Sequence, residues 1–173
     1  MMPADAAVPP IALFRTFVRN LPMTQAMTTW GSYELGRSLS LSLREREIVI
    51  DRTCARCGCE YEWGVHVAFF ATRAGFDHAQ IMSLTHGSAE DGFWADDRDR
   101  LLIRAVDALH DENDLPAELW EALSACFREE ELLDLILLCG WYHAISFVAR
   151  AVRVPLEVGA PRFTSTGQTA DRR

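Results

Sequence analysis

The hydrophobic positions of this chain recur at steps of three and four residues along nearly its whole length. Leu101, Leu102, Ala105, Val106 and Leu109 form one such run, and this spacing places apolar side chains on one face of an α-helix. The alternation of apolar and polar residues that is typical of strands is scarcely present. Prolines and glycines interrupt the periodic runs, and we therefore predict helices at 11–19, 23–37, 43–56, 59–74, 77–85, 96–111, 116–126 and 130–152.

These frequent breaks predict an all-α fold, an irregular helical bundle of about eight helices that forms one domain over residues 1–154. The third helix has a start signal, because Ser42 and Glu45 form the Ser-x-x-Glu pattern of a capping box. The last predicted helix, LLDLILLCGWYHAISFVARAVRV, is apolar nearly all round, so we expect it at the centre of the bundle or covered by another subunit. Residues 155–173 are predicted to form an extended, partly disordered C-terminal tail.

Charge and composition limit the cellular location and the classes of partner expected for this protein. The chain of 173 residues has 17 Lys and Arg against 25 Asp and Glu, a formal net charge of −8, and the basic residues are scattered. We therefore expect no nucleic-acid partner. No stretch approaches the roughly 18 apolar residues of a membrane span, and the first ten residues lack the pattern of a signal peptide. These features predict a cytoplasmic protein without a membrane partner.

Residue types that carry out chemistry are concentrated in the stretch RCGCEYEWGVH. Gly58 is predicted to end the third helix, which places Cys59 at the start of the fourth, where unpaired N–H groups favour a thiolate. Cys59, Glu62, Trp63 and His66 follow at i, i+3, i+4 and i+7, so they share one helix face. An aromatic wall that excludes water raises the pKa of a carboxylate, and a carboxylate can bond an imidazole one turn away. These four residues are predicted to form one site. Each taken alone is better explained without a function, with Cys59, Trp63 and His66 in the core and Glu62 facing solvent.

The cysteines raise two further hypotheses. Their number, five, is odd, and three lie within six residues, which favours reactive, ligating or buried thiols over a disulfide framework. Cys54 and Cys57 form a CxxC pair at a helix end, where no helix start lowers the thiol pKa, so they are candidate resolving thiols. With Cys59 and His66 they would supply four zinc ligands, but C-x2-C-x-C-x6-H matches no common structural zinc pattern. We predict no bound metal and no cofactor.

A few residues elsewhere deserve a prediction. His143 lies in the apolar last helix and needs a polar partner there, so we expect it either to line the substrate pocket with Trp63 or to bond a backbone carbonyl. His110 is expected to be exposed. Cys126 and Cys139 occupy positions typical of a core and are expected to be buried and inert.

With these residues in view, the chain resembles the carboxymuconolactone decarboxylase superfamily, which includes the alkylhydroperoxidase D-like proteins, most clearly over residues 39–87. The redox branch of that superfamily has a glutamate, a cysteine twelve residues later, a second cysteine three beyond it, and a histidine four beyond that. The pattern falls here on Glu47, Cys59, Glu62 and His66, so a glutamate replaces the second cysteine. Glu62-Trp-Gly-Val-His66 is similar instead to the Glu-x-x-x-His of the decarboxylase branch, which moves protons on a lactone acid without a cofactor.

The resemblance implies an alkylhydroperoxidase D-like fold in a homo-oligomer that acts on a small molecule. The first function it implies is peroxide or disulfide redox chemistry through Cys59, with Glu47 and His66 as the proton relay and Cys57 or Cys54 as the resolving thiol. The alternative is a cofactor-free decarboxylase or lactone enzyme, in which the Glu-x-x-x-His pair acts as acid and base. A non-catalytic protein whose cysteines bind a metal or hold structure is a third hypothesis.

Overall fold

The computed structural model describes residues 10–163, which form eight α-helices and, within that range, no β-strand. Their number and order confirm the predicted all-α fold. The largest difference is the end of the fourth helix, predicted at residue 74, because the chain there tightens into turns and reverses at Gly75, which has a φ of 75°. The helices are α1 Ala12–Phe17, α2 Leu21–Glu34, α3 Leu43–Arg56, α4 Glu60–Phe70, α5 His78–His86, α6 Asp97–Glu112, α7 Ala117–Cys126 and α8 Glu129–Ala151.

The central helix of the bundle is α3, which contacts α4, α5, α6 and α8. It begins with the predicted capping box, in which the Glu45 N–H donates to Ser42 Oγ and the Ser42 N–H donates to Glu45 Oε2. Half of its residues are charged, although its middle is fully buried. Because an unpaired buried charge is costly, these side chains need partners inside the bundle. Three such pairs are Arg44 with Asp99, Arg46 with Glu47, and Arg52 with Asp107.

One face of α8 packs in the bundle, where it contacts α3, α4, α6 and α7. By length and composition α8 could cross a membrane, so the expectation that the chain has no such stretch is wrong. The few polar residues of α8 are outweighed by its apolar ones. Half of that stretch is buried inside the domain, as in the core helix of a globular protein. The opposite face is apolar and uncovered, with Leu133, Leu137 and Phe147 exposed by 62%, 48% and 66%.

Residues 155–163 follow α8 without regular structure and run back towards α1 and α4. The Glu157 carboxylate accepts hydrogen bonds from the Tyr61 hydroxyl at 2.7 Å and from the Ala12 N–H at 2.5 Å. These contacts attach the first part of the predicted tail to the bundle. The domain boundary at residue 154 stays a prediction, and the tail beyond residue 163 lies outside the described residues.

Two predictions of exposure are wrong. Cys126 is exposed rather than buried, because it is the last residue of α7 and that helix buries only Leu123. His110 is half-buried rather than exposed, because it lies against His143. Cys139 is buried, as the sequence predicted.

Candidate active site

A tight connection between α3 and α4 holds the two sequence halves of the predicted site together. Gly58 follows Cys57, the C-cap residue of α3, with a φ of 62°, a conformation that glycine adopts without strain. The Cys59 N–H donates to the Cys54 carbonyl at 2.8 Å, and the Gly58 N–H donates to the Ala55 carbonyl at 2.9 Å. This pair of bonds defines a Schellman motif. As a result α4 begins immediately after α3 and packs against it.

Glu47 of α3 and His66 of α4 meet at the interface of these two helices. His66 Nδ1 lies 2.8 Å from Glu47 Oε2, and both side chains are almost completely buried. The other carboxylate oxygen of Glu47 is 2.6 Å from the Arg46 guanidinium. A buried carboxylate bonded to a ring nitrogen fixes the orientation of an imidazole and determines which nitrogen carries the proton. With Nδ1–H donating to Glu47, Nε2 is the nitrogen available for proton transfer.

The Nε2 side of His66 faces Tyr142 of α8 and Glu62 of α4. Nε2 is 2.9 Å from the Tyr142 hydroxyl and 3.9 Å from Glu62 Oε2. The second distance exceeds that of a hydrogen bond, so the bond expected between Glu62 and His66 is not formed in this conformation. The two groups are nevertheless near enough for a substrate atom, or the Tyr142 hydroxyl, to connect them.

Two further buried carboxyl groups lie in this region. Burial raises the pKa of Glu62 to about 7, and the nearby His66 opposes that shift, while Glu62 Oε1 has no hydrogen-bond partner among residues 10–163. Burial also raises the pKa of Asp51 well above its usual range, and the neighbouring Glu47 adds to the shift. Neither oxygen of Asp51 is hydrogen-bonded within the described part of the chain. Burial thus favours the protonated form of both carboxyl groups.

The thiols of Cys54, Cys57 and Cys59 lie in the interior of the bundle near Glu62 rather than at the surface. Cys59 directly precedes α4, as predicted, but it is fully buried. Burial raises its pKa, and the Glu62 N–H at the start of the helix lowers it less. The pKa values of Cys54 and Cys57 are likewise raised, chiefly by burial. Desolvation therefore outweighs the helix-start effect that the sequence suggested, and the thiols favour their protonated form.

Trp63 and the C-terminal segment close the outer side of α4. The Trp63 ring is fully buried and lies 5.0 Å from the Phe163 ring, at 57°. Gly64 permits this approach, because a Cβ at that position would lie 2.7 Å from the Pro161 carbonyl oxygen. Trp63 thus helps to exclude water from α4, as the sequence suggested for an aromatic wall.

A groove lies next to the site at the other end of α4. The Phe70 ring lies 5.3 Å from the His66 ring, and the Arg46 and Arg73 guanidinium groups lie over Phe70 at 5.0 and 5.5 Å. The groove has a volume of about 540 Å³, and its walls combine leucines with three arginines. Its other lining residues are Leu35, Gly36, Arg37, Leu39, Leu41 and Leu43.

The second predicted pocket residue, His143, has partners away from His66. Its Nε2 is 2.9 Å from His110 Nδ1, and its Nδ1 is 2.9 Å from the Cys139 carbonyl oxygen. The expectation that His143 bonds a backbone carbonyl is therefore met. The structure brings Glu47, Glu62 and His66 together with Cys59 at the start of the same helix, but it gives His143 a separate environment.

Comparison with known proteins agrees with this architecture. A family model described as the carboxymuconolactone decarboxylase family matches residues 23–103. The fold is similar to the crystal structure of an uncharacterized peroxidase-related protein from Silicibacter sp. TM1040, with a TM-score of 0.76 and 18% identity over 87% of this chain and 79% of that chain. These two likenesses support the resemblance to the carboxymuconolactone decarboxylase/alkylhydroperoxidase D-like superfamily that the sequence motifs indicated. No curated protein sequence matches it significantly.

The part of the chain that matches the carboxymuconolactone decarboxylase family runs from α2 into α6, so it contains the whole α3–α4 unit. Glu47, Cys59, Glu62 and His66 all lie in that unit. The superfamily resemblance and the geometry therefore direct attention to the same pair of helices.

Sequence reasoning missed two members of the site. Tyr142 was visible only as part of an apolar helix, although a hydroxyl in such a helix signals a buried partner. The second is Arg46, which pairs with Glu47 although both residues are buried. Neither contact with the site follows from spacing, because Tyr142 arrives from the far end of the chain and the depth of α3 depends on tertiary packing.

Proposed function

We propose that this protein catalyses cofactor-free proton transfer on a small organic acid or lactone, with Glu62 and His66 as its acid and base. The observation that carries this proposal is a carboxyl group whose pKa is raised to about 7, 3.9 Å from an imidazole nitrogen. A group with a pKa near the working pH can both give and accept a proton, which is the requirement of general acid–base catalysis.

The remaining contacts support distinct tasks in this chemistry. Glu47 orients His66 through Nδ1, so Nε2 can take a proton from carbon or oxygen of a bound substrate. Protonated Glu62 supplies a proton on the same side. In a decarboxylation the bond to the carboxylate carbon breaks, CO2 leaves, and the electron pair left behind accepts that proton. Tyr142, which bonds His66 Nε2, holds the ring in place before substrate arrives.

The groove beside Phe70 fits an acidic substrate. Arg37, Arg46 and Arg73 offer positive charge to a carboxylate, while the leucines accept an apolar body. Phe70 separates this groove from His66, so its ring must turn aside to admit a substrate. The proposal therefore includes a movement of Phe70 on binding.

Measurement of CO2 release from carboxymuconolactone and related lactone acids tests this function. His66→Ala and Glu62→Gln are expected to lower kcat by about 100-fold or more, because general acid–base groups contribute 10²- to 10⁴-fold. Cys59→Ser and the surface variant Cys126→Ser are expected to keep kcat within about twofold of the unmodified protein, because neither thiol takes part. Full activity in both His66→Ala and Glu62→Gln would reject the site, and loss of activity in Cys59→Ser alone would reject the mechanism.

A second candidate function, thiol-dependent reduction of a hydroperoxide, is favoured by the position of Cys59 at the start of α4 next to Glu62. Glu62, as a carboxylate, would take the thiol proton. The thiolate would then attack the O–O bond, giving a sulfenic acid and an alcohol. Cys57 or Cys54 would condense with the sulfenic acid to a disulfide and release water, and an external dithiol would reduce the disulfide.

Peptide mapping by mass spectrometry separates the two candidates. The Cys126→Ser variant is used, because the exposed thiol of Cys126 would otherwise consume oxidant. After brief exposure to one equivalent of an organic hydroperoxide, oxidation of Cys59 well ahead of buried Cys139 would support the thiol mechanism. Equal and slow oxidation of both would exclude Cys59 as the reacting thiol.

We also propose that the protein is cytoplasmic and assembles as a homo-oligomer. All five cysteines are free thiols, which suits a reducing compartment. Leu133, Leu137 and Phe147 form a contiguous exposed apolar face on α8. Such a face is typical of an interaction surface, whereas single exposed apolar residues are common on any protein. Light scattering after size-exclusion chromatography tests the assembly. Leu137→Lys is expected to reduce the mass to that of one chain, and an unchanged mass would exclude this face as the interface.

A further inference from the structure

Three side chains that the proposed acid–base mechanism does not use converge where α3 ends. Cys57 is the residue that ends α3, His110 lies in the last turn of α6, and His143 lies on α8. One sulfur and two ring nitrogens from these residues all lie within 4.8 Å of one another. Each residue comes from a different helix, so the fold holds the group together without a common loop.

The His143 ring is oriented as a metal ligand is. His143 Nδ1 lies 2.9 Å from the Cys139 carbonyl oxygen, one turn earlier on α8. Since a carbonyl only accepts, Nδ1 carries the proton, and the lone pair of Nε2 points into the cluster. His110 Nδ1 lies 2.9 Å from that Nε2. Metal-bound histidines typically donate their second nitrogen to a backbone carbonyl or carboxylate, which fixes the tautomer and the ring direction.

The distances fit a tetrahedral ion after a small adjustment. Zinc bonds of about 2.3 Å to sulfur and 2.0–2.1 Å to nitrogen place tetrahedral ligand atoms about 3.3–3.6 Å apart. The two facing nitrogens, at 2.9 Å, would separate by a few tenths of an ångström to reach about that spacing. The sulfur-to-nitrogen separations, which are at most 4.8 Å, would contract by up to about 1.2 Å. Rotation of side chains is sufficient for changes of this size.

An ion would also have a path to the cluster. His110 lines an open cleft of about 270 Å³, together with Arg52, Arg56 and His86. Positive charge in this cleft opposes a cation, but Arg52 is already bonded to Asp107, which reduces that opposition. The cleft leaves room for a water molecule as the fourth ligand.

We propose that Cys57, His110 and His143 bind one zinc ion, with a fourth position open to the cleft. One thiolate and two imidazoles are a donor set that zinc favours, and three protein ligands with an open position are typical of catalytic rather than structural zinc. This set differs from the one that sequence spacing suggested, because His66 is held by Glu47 and Tyr142 instead. The site is independent of the proposed acid–base function.

Titration of the reduced, metal-stripped protein with Co²⁺ tests the proposal. We expect one Co²⁺ per chain, with a thiolate-to-cobalt charge-transfer band and the intense visible bands of four-coordinate Co²⁺, and we expect Zn²⁺ to displace it. His110→Gln and His143→Gln are expected to weaken binding at least about tenfold, and Cys57→Ser to remove the charge-transfer band.

The controls are His78→Gln and Cys126→Ser, which alter an exposed imidazole and an exposed thiol. Both should bind Co²⁺ like the unmodified protein, and so should Glu62→Gln, which separates this result from that of the proposed function. Circular dichroism identifies any variant that fails to fold. Absence of the bands in the unmodified protein would overturn the proposal without reference to any variant. Unchanged binding by folded His110→Gln and His143→Gln would overturn it as well.

Discussion

Replacing Glu62 by glutamine should make the protein more stable at pH 8 and leave its stability nearly unchanged at pH 4.5. The carboxyl pKa is raised from 4.5 to about 7 by burial, so the folded protein holds this proton more tightly than the unfolded chain does. The stability that the group contributes is fully present below its unfolded pKa and is lost as the pH rises through about 7. Glutamine mimics the protonated acid and does not ionise.

The size of the effect follows from the shift. A difference of about 2.5 pKa units, at 1.36 kcal/mol per unit, corresponds to about 3 kcal/mol between the two ends of the pH range. We therefore expect the free energy of unfolding of Glu62→Gln to exceed that of the unmodified protein by about 3 kcal/mol at pH 8. The difference between the two proteins isolates Glu62, because Asp51 and the other buried carboxyl groups are present in both.

Urea unfolding followed by circular dichroism, at several pH values from 4.5 to 8 and at one protein concentration, measures this difference. Glu121→Gln is the matched control, since it removes an exposed carboxylate from α7. Its stability should follow that of the unmodified protein at every pH. Parallel curves for Glu62→Gln and the unmodified protein would show that Glu62 is not protonated by burial, and the acid–base proposal would lose its basis.

Three further results are expected. Arg46→Ala removes the charge partner of the buried Glu47 carboxylate and should lower the free energy of unfolding by about 3 kcal/mol or more. Arg104→Ala breaks an exposed ion pair and should lower it by less than about 1 kcal/mol. Similar losses for the two variants in urea unfolding would contradict the buried pair. A thiol reagent should modify Cys126 first in the native protein, because the other four cysteines are buried, and equally fast labelling of Cys126→Ser would show that another thiol is accessible. Gly64→Ala places a Cβ against the Pro161 carbonyl oxygen and should lower the free energy of unfolding by about 1–3 kcal/mol. The same variant should be cleaved faster by trypsin in the C-terminal segment. An unchanged rate of proteolysis would mean that the segment adapts to the added methyl group.

The helices and the local chemistry of the site could be predicted from the sequence because they depend on interactions between residues that are close in sequence. The capping box at Ser42 and the glycine after α3 mark where helices begin and end. The i, i+3, i+4, i+7 spacing predicted that Cys59, Glu62, Trp63 and His66 share one face. All four are buried, and Glu62 lies 3.9 Å from His66. The raised pKa of Glu62 was also predicted in direction, because an aromatic wall was expected to exclude water from its carboxyl group.

Contacts between segments that are distant in sequence could not be predicted from the sequence. Tyr142 reaches His66 from 76 positions away, and His110 meets His143 across 33 positions. The depth of α3 is another example, because a helix with half its residues charged has the composition of a surface helix. Only the pairing of its arginines with carboxylates on other helices and on α3 itself allows it to lie at the centre.

The sequence by itself therefore determined an all-α fold and the order of its helices, because periodicity and capping act within a few residues. Tertiary structure decided how the reactive groups of the site behave. Burial turned a helix-start cysteine into a protonated thiol and a glutamate into a group that titrates near neutral pH, since desolvation depends on all the helices packed around a side chain.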